Sequence, residues 1–131
     1  MTTEKFFKIG IILCTISVVL GAFSAHLLKD ILSNNSLTSF KTGVRYQFLH
    51  GLIIIILSLN FDKFKIKILI RSLWLFLIGI ILFSFSIYIL SIQTILEINL
   101  NILGPVTPIG GLILISAWIN LLFSIRKKNN N

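Results

Sequence analysis

The sequence predicts an all-α integral membrane protein, a bundle of four transmembrane helices, and three observations lead there. Of its 131 residues, 56% are apolar and only 12% are charged, with a mean hydropathy of +0.98. That is too little polar surface for a water-soluble domain of this size to cover itself. The apolar residues, dominated by Ile and Leu, fall in four long blocks instead of alternating with polar positions. The charges collect between the blocks, where a chain that threads a bilayer meets water.

Crossing a hydrocarbon core of about 30 Å takes roughly 20 helical residues at about 1.5 Å each, because a helix satisfies its backbone hydrogen bonds within its own segment. The first span, Ile9 to Leu28, has no Asp, Glu, Lys or Arg. The second, Val44 to Phe61, has only Arg45 near its start. The third, Ser72 to Ile92, and the fourth, Pro105 to Ile125, have none. Together they read as one domain over residues 1–131.

Lys29 to Gly43 is the polar connection KDILSNNSLTSFKTG, in which Ser36 is placed to cap a helix. Leu37, Phe40, Val44 and Phe48 then follow at spacings of three and four, so residues 36–43 read as an interfacial extension of the second span. Asp62 to Arg71, DKFKIKILIR, is a basic connection. In Gln93 to Gly104, Leu96, Ile98, Leu100 and Ile102 alternate with Glu97, Asn99 and Asn101. That period of two predicts an extended segment lying along the membrane surface, with a prolonged third helix as the alternative.

Counting Lys and Arg on either side of the spans orients the chain, since basic residues stay on the cytoplasmic face. Lys5, Lys8, Lys63, Lys65, Lys67, Arg71, Arg126, Lys127 and Lys128 fall on one side, and Lys29, Lys41 and Arg45 on the other. Both termini are therefore expected in the cytoplasm of a cell whose plasma membrane holds the protein. Lys5 and Lys8 before an apolar run also resemble a secretory signal with a cleavage position after Ser24, but the apolar run continues past that point. The net charge of +8 raises nucleic acid as a partner, yet the basic residues flank spans, as membrane anchors do, so none is expected. The single Cys14 excludes an intramolecular disulfide.

This topology brings polar and small residues from four segments to one membrane depth, in the outer leaflet. They are GAFSAH (Gly21 to His26), Arg45 with Tyr46, Gln47 and His50, then Ser84 with Tyr88, and GPVTPIGG (Gly104 to Gly111). The candidate cluster is His26, Arg45, Tyr46, Gln47, His50, Tyr88 and Thr107. Ionisable residues within a membrane suggest function, and near an interface they also serve as plain hydrogen-bonding groups, so both roles stay open for His26 and His50. His26 projects roughly 180° from Ser17, at about 100° per residue, and must face another neighbour or water. Arg45 is placed to meet a lipid phosphate or to snorkel.

Gly10, Cys14, Ser17, Gly21 and Ala25 form a small-residue strip for close helix approach, with Gly110, Gly111 and Ala117 serving the fourth helix. Pro105 and Pro108 occupy its first turn, where a missing N–H costs little. Trp74 reads as an interface anchor and Trp118 as a deeper helix contact. All four acids, Glu4, Asp30, Asp62 and Glu97, lie outside the spans, so no span carries the carboxylate of an ion-coupled pump. No phosphate-binding glycine loop, HExxH or Cys pair occurs, and neither a cofactor nor a metal is expected.

GAFSAHLLK (Gly21 to Lys29), FKTGVRYQFLH (Phe40 to His50), FSFSIY (Phe83 to Tyr88) and GPVTPIGG followed by Trp118 resemble a small membrane family. It is known as domain of unknown function 423 or UPF0382, with relatives among the eukaryotic transmembrane protein 256 proteins. The resemblance implies four transmembrane helices and a membrane location, and no mechanism. Ser24, Leu27 and Phe85 stand where that family usually has glycine, which weakens the expectation of closest helix approach at the outer ends of the first and third spans. The expected role is that of a small accessory or structural membrane protein, alone with the bilayer, as a homo-oligomer, or with another membrane protein. A carrier or channel for a small solute is the alternative, and a membrane enzyme or a haem- or metal-binding protein comes third.

Overall fold

A computed structural model describes residues 2–126, so Lys127, Lys128 and Asn129 to Asn131 lie outside the described residues. The helices are α1 (Thr3–Ala25), α2 (Asn34–Leu59), α3 (Ile66–Ile80), α4 (Ser86–Ile92) and α5 (Val106–Leu122). A π-helical turn, Ile81–Phe85, joins α3 to α4. The two form one rod, Ile66–Ile92, so four rods are long and apolar enough to cross a membrane.

α1 and α2 run antiparallel in close contact, α5 packs along α3, and α2 joins the pairs by resting on α3 and α4. Phe6, Leu69, Leu73, Phe76, Ile80 and Ala117 are fully buried where the pairs meet. The outside is as apolar as the inside: Val18, Leu112 and Leu122 are 64%, 64% and 71% exposed. Such a surface is stable only in lipid.

At the end carrying most of the Lys and Arg, the chain after α5 is tied to the α2–α3 connection. The Lys65 N–H donates to the Ser124 carbonyl at 2.6 Å, and the Arg126 N–H to the Lys63 carbonyl at 3.1 Å. These bonds make an isolated antiparallel bridge between Phe64 and Ile125. Nearby, Asn120 Nδ2 donates to the Ile68 carbonyl and to Ser72 Oγ, at 3.1 and 2.8 Å, and so fastens α5 to α3.

Several local expectations are corrected. α2 starts two residues ahead of Ser36, with Ser33 as its N-cap; Ser33 Oγ accepts from the Ser36 N–H at 3.2 Å. The buried face of α2 runs through Leu37, Phe40, Gly43, Gln47, His50, Gly51 and Ile54, whereas Phe48 is 40% exposed. Gly43 and Gly51 select that face, because it is where Tyr88 and Cys14 come close. α3 begins at Ile66, inside the basic stretch read as a connection. Lys67 and Arg71 are exposed on its first turns, and their long stems let a helix carry the charges out to water.

Gln93 to Gly104 is neither extended nor a prolonged helix. It folds as turns with a short 3-10 helix at Asn101–Leu103, and Glu97 takes a left-handed φ of 53°. A single extended segment has no strand to pair with, so its polar backbone is satisfied locally. Gln93 Oε1 accepts from the Leu100 N–H at 3.0 Å, and the Gln93 carbonyl from the Ile98 N–H at 3.2 Å.

Along the small-residue strip of α1, the approach to α2 is tightest at Gly10. A Cβ on Gly10 would lie 2.7 Å from Ile55 Cγ1 and 2.9 Å from the Gly51 carbonyl oxygen, and Ser17 is buried. At Gly21 the nearest atom, Val44 Cγ1, is 3.8 Å away. Ala25 is exposed, and so is not a packing residue. Just beyond it the chain leaves α1 for the short 3-10 helix Leu28–Asp30.

Candidate polar site

Gln47 occupies the centre of the polar interior and is fully buried on the inward face of α2. Its Nε2 donates to the Leu13 carbonyl of α1 at 2.9 Å, and its Oε1 accepts from the Tyr88 hydroxyl of α4 at 2.9 Å. Leu13 O also takes the Ser17 hydroxyl at 2.9 Å. One side chain thus links three helices. One turn away, the Ser84 hydroxyl donates to the Gly43 carbonyl at 2.9 Å, and the same glycine gives the Tyr88 ring room: a Cβ would meet Tyr88 Cε1 at 2.8 Å.

His50 belongs to a second group, facing α5. Trp118 Nε1–H donates to His50 Nε2 at 3.2 Å, so that nitrogen is an acceptor. The proton of the neutral ring therefore sits on Nδ1, which donates to the Tyr46 carbonyl at 2.8 Å. Tyr46 stacks on His50 with ring centroids 5.8 Å apart and packs on Phe83 at 4.6 Å. Phe76 meets the Trp118 edge at 5.1 Å. A cleft of about 600 Å³ lies over these rings, between α2 and α5. Thr107 forms a third, separate contact, with its hydroxyl 2.7 Å from that of Ser86.

Of the seven predicted cluster residues, the structure thus brings Gln47 to Tyr88, and Tyr46 to His50, and it places Thr107 with Ser86. His26 and Arg45 do not join them. His26 is exposed in an apolar furrow with Val18, Val19, Ala22, Phe23 and Leu27. Arg45 is exposed on the opposite side of α2 from the interior. Nor do the seven lie at one depth: Thr107 is in the first turn of α5, and His50 is level with Trp118, eleven residues further along it.

Sequence reasoning missed Ser86, the Leu13 carbonyl and the pairing of Trp118 with His50. A signal existed for Trp118, since an indole N–H deep in a span needs an acceptor. Among the described residues, no three of His, Cys, Asp and Glu lie close enough to hold a metal ion, and the one ion pair is Lys8 with Glu4 on the exposed start of α1, at 2.7 Å. The interior therefore carries neutral hydrogen bonds between helices. On the α5 side, Ala117 is fully buried, the Phe83 ring lies 3.7 Å from a Cβ on Gly111, and Gly110 touches the π-turn backbone at Phe83 N.

Four apolar rods joined by a small buried network of neutral polar groups define a multi-pass helical membrane protein. Residues 20–111 match a family described as a protein of unknown function, DUF423, and the chain belongs to that family. It is 40% identical over 124 residues to a UPF0382 membrane protein of Staphylococcus haemolyticus, covering 94% of this chain and 97% of the relative. It is 37% identical over 125 residues to the UPF0382 membrane protein YwdK of Bacillus subtilis, covering 95% and 98%. A UPF0382 membrane protein of Haemophilus influenzae is 36% identical over 114 residues, 86% of each chain. No solved structure matches this chain.

Proposed function

We propose that this is a small accessory protein of the bacterial plasma membrane, both termini cytoplasmic, whose polar residues hold four helices in one arrangement so that their outer faces meet a partner. The observation that carries this reading is Gln47, fully buried with both ends of its amide used by the protein. A solute path needs polar groups that exchange partners as the solute passes. Here Gln47, Tyr88 and both ring nitrogens of His50 spend their hydrogen bonds on other helices or on their own. The partner is a second copy or another membrane protein.

Photo-crosslinking from Leu112, exposed on α5, in native membranes tests the proposal. A single defined adduct, of chain mass or of one other membrane protein, is expected. Solute flux through the purified protein in proteoliposomes, abolished by Gln47→Leu and kept by the comparably destabilised Asn120→Leu, would replace the accessory role with that of a carrier. Orientation rests on the nine-to-three division of Lys and Arg. A reporter fused after Asn131 is expected to be active only in the cytoplasm, and activity outside would reverse the topology.

A further inference from the structure

We propose that the furrow between α1 and α2, at the end of the bundle away from most of the basic residues, is a site for an anionic phospholipid. Its phosphate would lie between Lys41 and Arg45, with an acyl chain along the furrow. The furrow has a volume of about 310 Å³, and Val18, Gly21, Val44 and Phe48 supply its apolar wall, with Lys41 and Arg45 on its rim. At Gly21 a Cβ would make only an ordinary contact, with Val44 Cγ1 at 3.8 Å, and the glycine itself leaves the furrow unfilled at that point.

The charges name the occupant. Lys41 and Arg45 are exposed and four apart on one helix, so their Cβ atoms lie about 5–6 Å from each other, and a like-charged pair at that spacing destabilises a helix unless an anion sits between. Among the described residues neither makes an ion pair. Depth adds a second reason. Lys41 stands 18 residues before Leu59, the last residue of α2, about 27 Å along the helix against a hydrocarbon core of about 30 Å, so it falls near the boundary between hydrocarbon and headgroups. Arg45 lies about 6 Å deeper, and its long stem snorkels to that boundary, where a guanidinium takes a phosphate bidentately. An apolar wall continuing from that point into the bilayer suits an acyl chain and not a free anion.

The whole protein, purified in detergent, is titrated with dioleoyl phosphatidylglycerol, dioleoyl phosphatidylcholine or inorganic phosphate and read by native mass spectrometry. Phosphatidylglycerol is expected to be retained roughly tenfold better than phosphatidylcholine, the factor for about one charge-assisted hydrogen bond. Lys41→Gln with Arg45→Gln removes that preference, whereas Lys63→Gln with Lys65→Gln keeps it. Gly21→Leu, which fills the furrow, lowers retention of phosphatidylglycerol with both cations in place. Equal retention of the two lipids, or a preference that survives the Lys41/Arg45 double variant, overturns the site. Displacement of phosphatidylglycerol by equimolar inorganic phosphate overturns the lipid and leaves a free-anion site. Both side chains are exposed and, among the described residues, hydrogen-bond to no protein group, so the variants fold, and an unchanged melting temperature checks this.

Discussion

Gly110 is the position where one added methyl group meets the most resistance. A Cβ there would touch Phe83 N and lie 2.8 Å from both Leu82 C and Phe83 Cα, all backbone atoms of the π-turn Ile81–Phe85. No rotamer change relieves that overlap, so α5 must move off the turn or the turn must rearrange. Overpacking of this kind costs about 1–3 kcal/mol, and the upper end applies when the obstacle is backbone. The next residue is an internal control. A Cβ on Gly111 meets only the Phe83 ring, at 3.7 Å, an ordinary contact, and Gly→Ala within a helix favours the helix by about 1 kcal/mol. With the same helix gain subtracted from the upper overpacking cost, Gly110→Ala should lose about 2 kcal/mol of stability while Gly111→Ala is neutral or gains up to about 1, a gap of up to about 3 kcal/mol. Unfolding in mixed micelles, followed by far-UV circular dichroism as the denaturing detergent fraction rises, measures the gap. Equal midpoints for the two variants would show that α5 does not lie against the π-turn.

Gln47→Leu strands the Tyr88 hydroxyl in the interior and should cost about 1–2 kcal/mol in the same assay. In a double-mutant cycle with Tyr88→Phe, the coupling is expected near 1 kcal/mol, and additive losses would deny the bond. For His50, nitrogen NMR of labelled imidazole should find Nδ1 protonated and Nε2 bare; the opposite tautomer would remove Trp118 as its donor. Asn120→Leu breaks the double link to Ile68 and Ser72 and should lower stability by about 1 kcal/mol, whereas Ser116→Ala, on a hydroxyl that bonds only within its own helix, should change it little.

Span positions were legible because they depend on a local sum. A block such as Leu73 to Leu82 is apolar whatever it touches, and lipid accepts it by that property alone. Depth was not: Thr107 sits in the first turn of α5, whereas His50 is level with Trp118, eleven residues further along that helix. Direction was not legible either. The stripe through Val44 and Phe48 looked as suitable for burial as the one through Gly43 and Gln47, and the second is the one that packs.

The sequence by itself determined that this chain has four spans apolar enough to cross a membrane and that most of its charges lie outside them. Tertiary structure alone decided that Gln47 joins three helices, that His50 meets Trp118 across 68 residues, and that His26 and Arg45 face outward. The reason is the solvent. In water a core is recognised by its hydrophobicity, but lipid is as apolar as the interior, so hydropathy carries no signal for which face turns inward. That choice falls to shape and hydrogen bonding, to where a glycine lets a backbone approach and where an amide finds both partners, and these exist only once the helices have met.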